Sequence, residues 1–267
     1  MISLDTNRYT FDLAKARTLA QFAKRAYEPA AGASLVGNWR VMVHDPDTDC
    51  YAFIEDVGNA LVISFQGTHT VEQWITDGKF LMRPLAENGP DAALKLHDGF
   101  LDGVDGLLPK ITGVLLPDGA IKATLKPIII CGHSLGGGLS IPAAFFLQKE
   151  NFPVQAVYTY GGPRVGNAAF REDYNWLLGH KTFRVVNQQD IVPRVPGVLM
   201  GYRHVGQEYF IPSNGPRMEF NPKFWVLAVS DTCGIFQDAV KHHHLSLLAD
   251  HKMDAYIAAL NQSTYLS

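Results

Sequence analysis

The run Pro127-Ile-Ile-Ile-Cys131, followed at once by Gly132-His133-Ser134-Leu135-Gly136-Gly137, constrains this chain more than any other segment. A short, fully apolar, β-branched run reads as a strand buried on both faces. Leu139–Lys149 reads as a helix. Almost no residues separate the two, so Ser134 must sit on a sharp strand-to-helix turn. A Cβ at the flanking glycines would collide with the neighbouring strand or helix. The turn strains the backbone at the serine, and the helix start points N–H groups at charge that develops beside it. The letters G-x-S-x-G alone also fit an ordinary glycine-rich turn. The strand-turn-helix context favours a nucleophile. A phosphate cradle is excluded, since there is no G-x-G-x-x-G here and no Lys after the glycines.

Further strand-like runs lie at Arg40–His44, Tyr51–Glu55, Ala60–Phe65, Val154–Tyr160, Thr182–Val186 and Glu208–Ile211. Helical spacing marks residues 11–27, with Leu13, Leu19, Phe22, Ala23 and Ala26 on one face. Ala92–Leu108 reads as helix-like stretches broken by Gly99, Gly103 and Gly106, and Asp238–Leu260 as two helical pieces. Strands alternating with helices predict an α/β chain: a mostly parallel central sheet with helices on both faces. No linker divides it, so residues 1–267 read as one domain.

An acyl-transfer serine needs donors aimed at the oxyanion. The Leu135 N–H is one. Gln66-Gly67-Thr68, just after the strand Ala60–Phe65, offers Thr68 as the second. Val71, Trp74 and Ile75 then fall at i, i+3 and i+4, with Glu72, Gln73 and Thr76 opposite, a short amphipathic helix. Such a helix over about 69–77 can cover an apolar groove and turn onto lipid when open. A tryptophan packed into the core is the commoner outcome of the same stripe.

Composition narrows the rest. Lys plus Arg is 23 and Asp plus Glu 26, a net charge of −3 that gives no electrostatic case for nucleic acid or an anionic membrane. No run is long enough for a transmembrane segment. Cys50, Cys131 and Cys233 do not make a disulfide framework. Cys131 reads as a core thiol, and one Cys50–Cys233 bridge is conceivable. The polar Met1–Arg8 shows no signal peptide, which suits a cytoplasmic chain or a mature secreted form.

Several segments, in the same order and over nearly the whole chain, resemble the class 3, or fungal-type, triacylglycerol lipases. They are Val62–Phe80, His97-Asp98-Gly99-Phe100, the GHSLGG at 132–137, Tyr160–Asn167, Phe183–Pro196 and Tyr202–Phe210. The combination is specific, although no one segment is. The resemblance implies an α/β-hydrolase fold without a cap domain, a Ser-Asp-His triad, Thr68 in the oxyanion hole and a lid helix at about 70–77. Gln66 stands where the family often has Arg, and the disulfides of secreted fungal members have no counterpart.

The fold expects the order Ser, acid, His. Asp190 follows the strand Thr182–Val186, which puts its carboxylate at the same sheet edge as Ser134, and the resemblance makes it the acid. For the base, Asp250-His251 with Tyr256 resembles the family's terminal D-H-x-x-x-x-Y element. His244, in His-Leu-Ser, matches a shorter form of it. His251 is preferred, because Tyr256 and Leu260 behind it fit a packed terminal helix. His204 lies in a structural segment of the family. Three adjacent histidines, His242–His244, cannot share a helix face, so they read as surface and not as a metal site.

The expected activity is that of a lipase acting on acylglycerols through an acyl-enzyme, with a lipid or ester substrate at a lipid–water interface and with no cofactor or metal. Phospholipase A1, short-chain esterase and feruloyl-type esterase are the alternatives. A silent lipid- or partner-binding relative is the remote one.

Overall fold

A computed structural model describes residues 10–28, 39–68, 70–71, 74–75, 80–117, 125–188, 190–213, 215–221 and 248–265. Its strands are β1 (Arg40–Asp45), β2 (Cys50–Asp56), β3 (Leu61–Phe65), β4 (Met82–Pro84), β5 (Lys95–His97), β6 (Ile128–His133), β7 (Val154–Tyr160), β8 (Thr182–Asn187), β9 (Gln207–Ile211) and β10 (Glu219–Phe220). The α-helices are α1 (Leu13–Arg25), α2 (Asp98–Leu115), α3 (Leu135–Lys149), α4 (Ala168–Leu178) and α5 (Met253–Gln262).

One eight-stranded sheet has the order β1-β2-β3-β6-β7-β8-β9-β10. The centre, β3 through β9, is parallel, and the flanking pairs β1/β2, β2/β3 and β9/β10 are antiparallel. This is the expected α/β-hydrolase layout. Successive side chains on a strand face opposite ways, and the core divides accordingly. Val62, Ile129, Cys131 and Tyr158 pack under α1 and α5, with Leu19, Phe22, Tyr256 and Leu260. Ile63, Ile130 and Val157 pack on the other face with Leu107, Phe145 and Tyr174 of α2, α3 and α4. Each such side chain contributes about 1.5–3 kcal/mol on burial.

α3 is buried on almost every side over Gly136–Phe145, as a helix at the centre of a covered sheet should be. The Asp12 side chain caps α1 by accepting from the Lys15 N–H at 3.0 Å, and Lys24 and Arg25 suit its C-terminal end.

Two local expectations change. Residues 92–108 are not broken helix: β5 pairs with β4, and α2 then runs unbroken through Gly99, Gly103, Gly106 and Pro109. A Cβ on Gly106 would lie 2.3 Å from Asp45 Oδ2. The missing side chain lets α2 lie against the β1–β2 turn, and packing overrides helix propensity there. Of the two helical pieces placed in 238–260, α5 is described, and the other falls outside the described residues. Cys131 is a buried free thiol, as expected, and Cys50 is also a free thiol. Cys233 lies outside the described residues. No helix among the described residues is long and apolar enough to cross a membrane.

Candidate active site

The parallel strands β6, β7 and β8 end side by side, with His133 opposite Tyr160 and Tyr160 opposite Val185. Chains that leave such strand ends meet in one crevice. Ser134 follows β6 directly and caps α3 with φ 58° and ψ −130°, a conformation that costs a non-glycine residue about 1–3 kcal/mol. Close packing holds it there. A Cβ on Gly132 would lie 2.2 Å from the Gly136 carbonyl oxygen, and one on Gly136 would lie 2.2 Å from that of Phe65. The second approach presses the start of α3 against the end of β3 and so brings the Thr68 loop beside Leu135.

Asp190 is reached by the loop after β8 and is completely buried. Its carboxylate accepts three hydrogen bonds. The Val192 N–H binds Oδ1 at 2.9 Å, the Tyr256 hydroxyl binds Oδ2 at 2.6 Å, and His251 Nδ1 lies 3.0 and 2.9 Å from the two oxygens. A carboxylate only accepts here, so Nδ1 is the donor. The other ring nitrogen, Nε2, is buried with no hydrogen-bond partner among the described residues. His251 sits in the turn just before α5, which starts at Met253. The Asn187 side-chain amide donates to the Asp250 carbonyl at 3.0 Å and ties that turn to the end of β8. His133, the residue before Ser134, stacks on the His251 ring with centroids 4.6 Å apart.

The structure therefore brings Ser134, Asp190 and His251 to one sheet edge. His244 lies outside the described residues. The sequence marks Tyr256 as the end of the D-H-x-x-x-x-Y element and as a packing residue; its hydroxyl also donates to Asp190 while accepting from the Asn187 N–H at 3.1 Å. Burial, with the neighbouring Asp190 charge, holds its hydroxyl protonated and so keeps it a donor. The signal for this was the five-residue spacing from His251.

Thr68 and Leu135 both line a cavity of about 500 Å³ with Tyr51, Gln66 and Thr70. The Leu135 amide belongs to the first turn of α3, where N–H groups have no partner within the helix. The Thr68 hydroxyl accepts from the Thr70 N–H at 3.1 Å and keeps its own O–H, so its hydroxyl and its backbone amide are both donors to consider. A second cavity of about 710 Å³ shares Trp74 and Leu135 with the first and is walled by Phe80, Leu81, His97 and Phe100.

Of the expected cover, Val71, Trp74 and Ile75 are helical. Ile75 is fully buried against Ile191, Val192 and Val195, directly after Asp190, with Leu248 alongside. Trp74 meets Phe80 edge-on at 5.5 Å and faces Phe100 at 6.0 Å. The stripe thus packs on the site's own walls. The rest of 69–77, apart from Thr70, falls outside the described residues.

Three histidines are held neutral. Burial lowers His97 to about 4, against the opposing pull of Asp98. Burial, then the neighbouring His251, pushes His133 well down. Burial, then Arg184 and Arg164, does the same to His204, which donates to the Pro193 carbonyl at 2.6 Å. Folded values below the unfolded value near 6.5 mean that the unfolded chain takes up protons first as pH falls. Stability is then constant above about pH 6.5 and drops below it, by about 1.4 kcal/mol per pH unit for each histidine. The His97 part amounts to about 3 kcal/mol by pH 4. Thermal unfolding at pH 7.5 and pH 5 should show a smaller loss for His97→Gln than for the wild type. An equal loss contradicts this account.

The chain is similar to known lipases in family and in fold. The family model for Lipase (class 3) matches residues 62–200, just over half of the chain. A secreted mono- and diacylglycerol lipase of Fusarium solani is 33% identical over 62% of this chain and 48% of its own length. The chain thus spans about half the length of that curated relative. The triacylglyceride lipase structure of Rhizomucor miehei superposes with a TM-score of 0.64 at 25% identity, covering 76% of this chain and 80% of that one. A further triacylglycerol lipase, described as having a serine protease triad at its catalytic centre, does so with a TM-score of 0.62 at 26% identity, covering 76% and 80%.

Proposed function

The chain belongs to the class 3 lipase family, and from that premise we propose that it hydrolyses carboxylic esters of acylglycerols by acyl transfer to Ser134. The observation that carries this reading is the state of His251. Its Nδ1–H is fixed on a buried carboxylate, while its Nε2 lies buried and unpartnered at the sheet edge where Ser134 sits.

In the proposed cycle, His251 Nε2 takes the Ser134 proton as Oγ attacks the ester carbonyl. Asp190 holds the tautomer and stabilises the imidazolium without taking the proton itself. Tyr256 and the Val192 amide hold Asp190. The Leu135 and Thr68 amides receive the oxyanion, and losing one such donor costs about 100–1000-fold in rate. His251 then returns the proton to the leaving alcohol. Water, activated by the same imidazole, releases the acid.

The aromatic cavity beside Trp74 suits an acyl chain. The stripe Val71, Trp74 and Ile75 serves as a lid: its apolar face packs on the walls of the site in water and turns onto a lipid surface on opening. The named alcohol product is glycerol or a partial glyceride, and no cofactor takes part in any step.

The test is an acyl-length series of p-nitrophenyl esters in solution together with an emulsified triglyceride. Longer chains should be preferred, and the rate should jump at least tenfold once the glyceride exceeds its solubility limit, as expected when a lid opens at an interface. Hydrolysis of short esters with no jump would make the chain an esterase. No ester hydrolysis at any length would remove the proposal.

A further inference from the structure

Tyr27 lies just past α1, and no motif marks it. Its hydroxyl sits against the backbone of Gly67, next to Thr68, and that backbone offsets part of the upward push of burial on the phenol's pKa. The same hydroxyl lies 2.8 Å from His133 Nδ1. Across that ring, Nε2 lies 2.6 Å from the backbone carbonyl oxygen of His251. A carbonyl only accepts, so His133 carries its proton on Nε2. Nδ1 is then the acceptor, and the Tyr27 hydroxyl is its donor. Every bond in the series has one direction.

Two further observations support the series. A Cβ on residue 67 would lie 1.9 Å from the Tyr27 hydroxyl, so glycine leaves the space in which the hydroxyl sits. The His133 ring also stacks on the His251 ring, and both histidines are almost wholly buried. A buried series with every donor matched to an acceptor is rigid, because any shift leaves a group unpaired.

We propose that Tyr27 and His133 form a positioning relay that locks the oxyanion loop, the serine turn and the His251 backbone into one register. The relay touches no substrate, so both are positioning residues. The proposal rests on the reading of Ser134 and His251 as nucleophile and base. Its physical content is that misplacement of reacting groups by about 1 Å costs on the order of 100-fold in rate.

The experiment uses the full chain with Tyr27→Phe, His133→Phe, His133→Gln and Ser134→Ala. For each, kcat and KM are measured on p-nitrophenyl butyrate below its solubility limit, with the thermal midpoint alongside. Tyr27→Phe should lower kcat about tenfold, and His133→Phe about 100-fold, with KM within twofold, because only transition-state geometry is lost. His133→Gln keeps an amide N–H able to reach the His251 carbonyl and should recover at least tenfold over His133→Phe. A packing role alone predicts something else: midpoints fall, kcat per folded molecule stays within twofold, and Gln does no better than Phe. That result overturns the relay. Tyr27→Phe removes a single oxygen and keeps the test decisive if His133→Phe does not fold. An active Ser134→Ala would instead sink the underlying reading. An inactive Ser134→Ala beside unimpaired Phe variants would sink the relay alone.

Discussion

Ser134→Ala should abolish ester hydrolysis, a fall of about 10⁶-fold in kcat, while the fold survives intact. The turn is held by backbone packing, since the Gly132 and Gly136 contacts involve main-chain oxygens and do not need the hydroxyl. Alanine accepts φ 58° no better than serine, so the strain remains and stability hardly moves. Glycine relieves it: Ser134→Gly should be as inactive as Ala and more stable by about 1 kcal/mol. A protein that trades stability for one hydroxyl geometry is holding that geometry for chemistry. The checks are turnover of p-nitrophenyl butyrate and thermal unfolding of all three proteins. Residual activity within tenfold of the wild type would make Ser134 a turn residue only.

Asp190→Asn is the second large effect, about 10⁴-fold in kcat. The change is nearly isosteric, but it replaces an oxygen acceptor with an N–H donor beside His251. Nδ1 lies near both carboxylate oxygens, so where the new amide nitrogen faces it the ring turns Nδ1 into an acceptor, and its proton moves to Nε2. Nε2 can then no longer accept from Ser134. The Tyr256 hydroxyl and the Val192 amide keep one oxygen between them, so the site loses about 2 kcal/mol rather than collapsing. Kinetics on the soluble ester, with the thermal midpoint as control, measures this. A folded variant that keeps most of its activity would assign Asp190 to loop anchoring.

Much of this site was legible in the sequence because its signals are local. The strand, turn and helix around Ser134 occupy consecutive residues, so burial pattern and glycine placement suffice to predict them. Asp190 was legible for the same reason: it closely follows a β-rich run, and the sheet carries that strand end to the serine. His251 depended on its spacing to Tyr256. That spacing predicted a packed helix but not the hydroxyl on Asp190, since hydrogen-bond direction leaves no trace in periodicity.

Tyr27 shows where such reading stops. Its partner His133 is 106 residues away, and one tyrosine beyond an amphipathic helix looks like any other. The α2 glycines misled in the opposite sense. Gly106 reads as a break, because the Asp45 side chain that makes a small residue necessary is brought there by a hairpin about 60 residues earlier. Local propensity cannot report a tertiary contact that overrides it.

The most direct measurement is a crystal structure of the chain inactivated by a p-nitrophenyl alkylphosphonate. The account predicts phosphorus bonded to Ser134 Oγ and the phosphoryl oxygen within hydrogen-bond distance of the Leu135 and Thr68 amides. It also predicts His251 Nε2 on a remaining oxygen, with Nδ1 still on Asp190. Phosphorus on any other residue, or an adduct on Ser134 with the His251 ring turned away from it, contradicts the account.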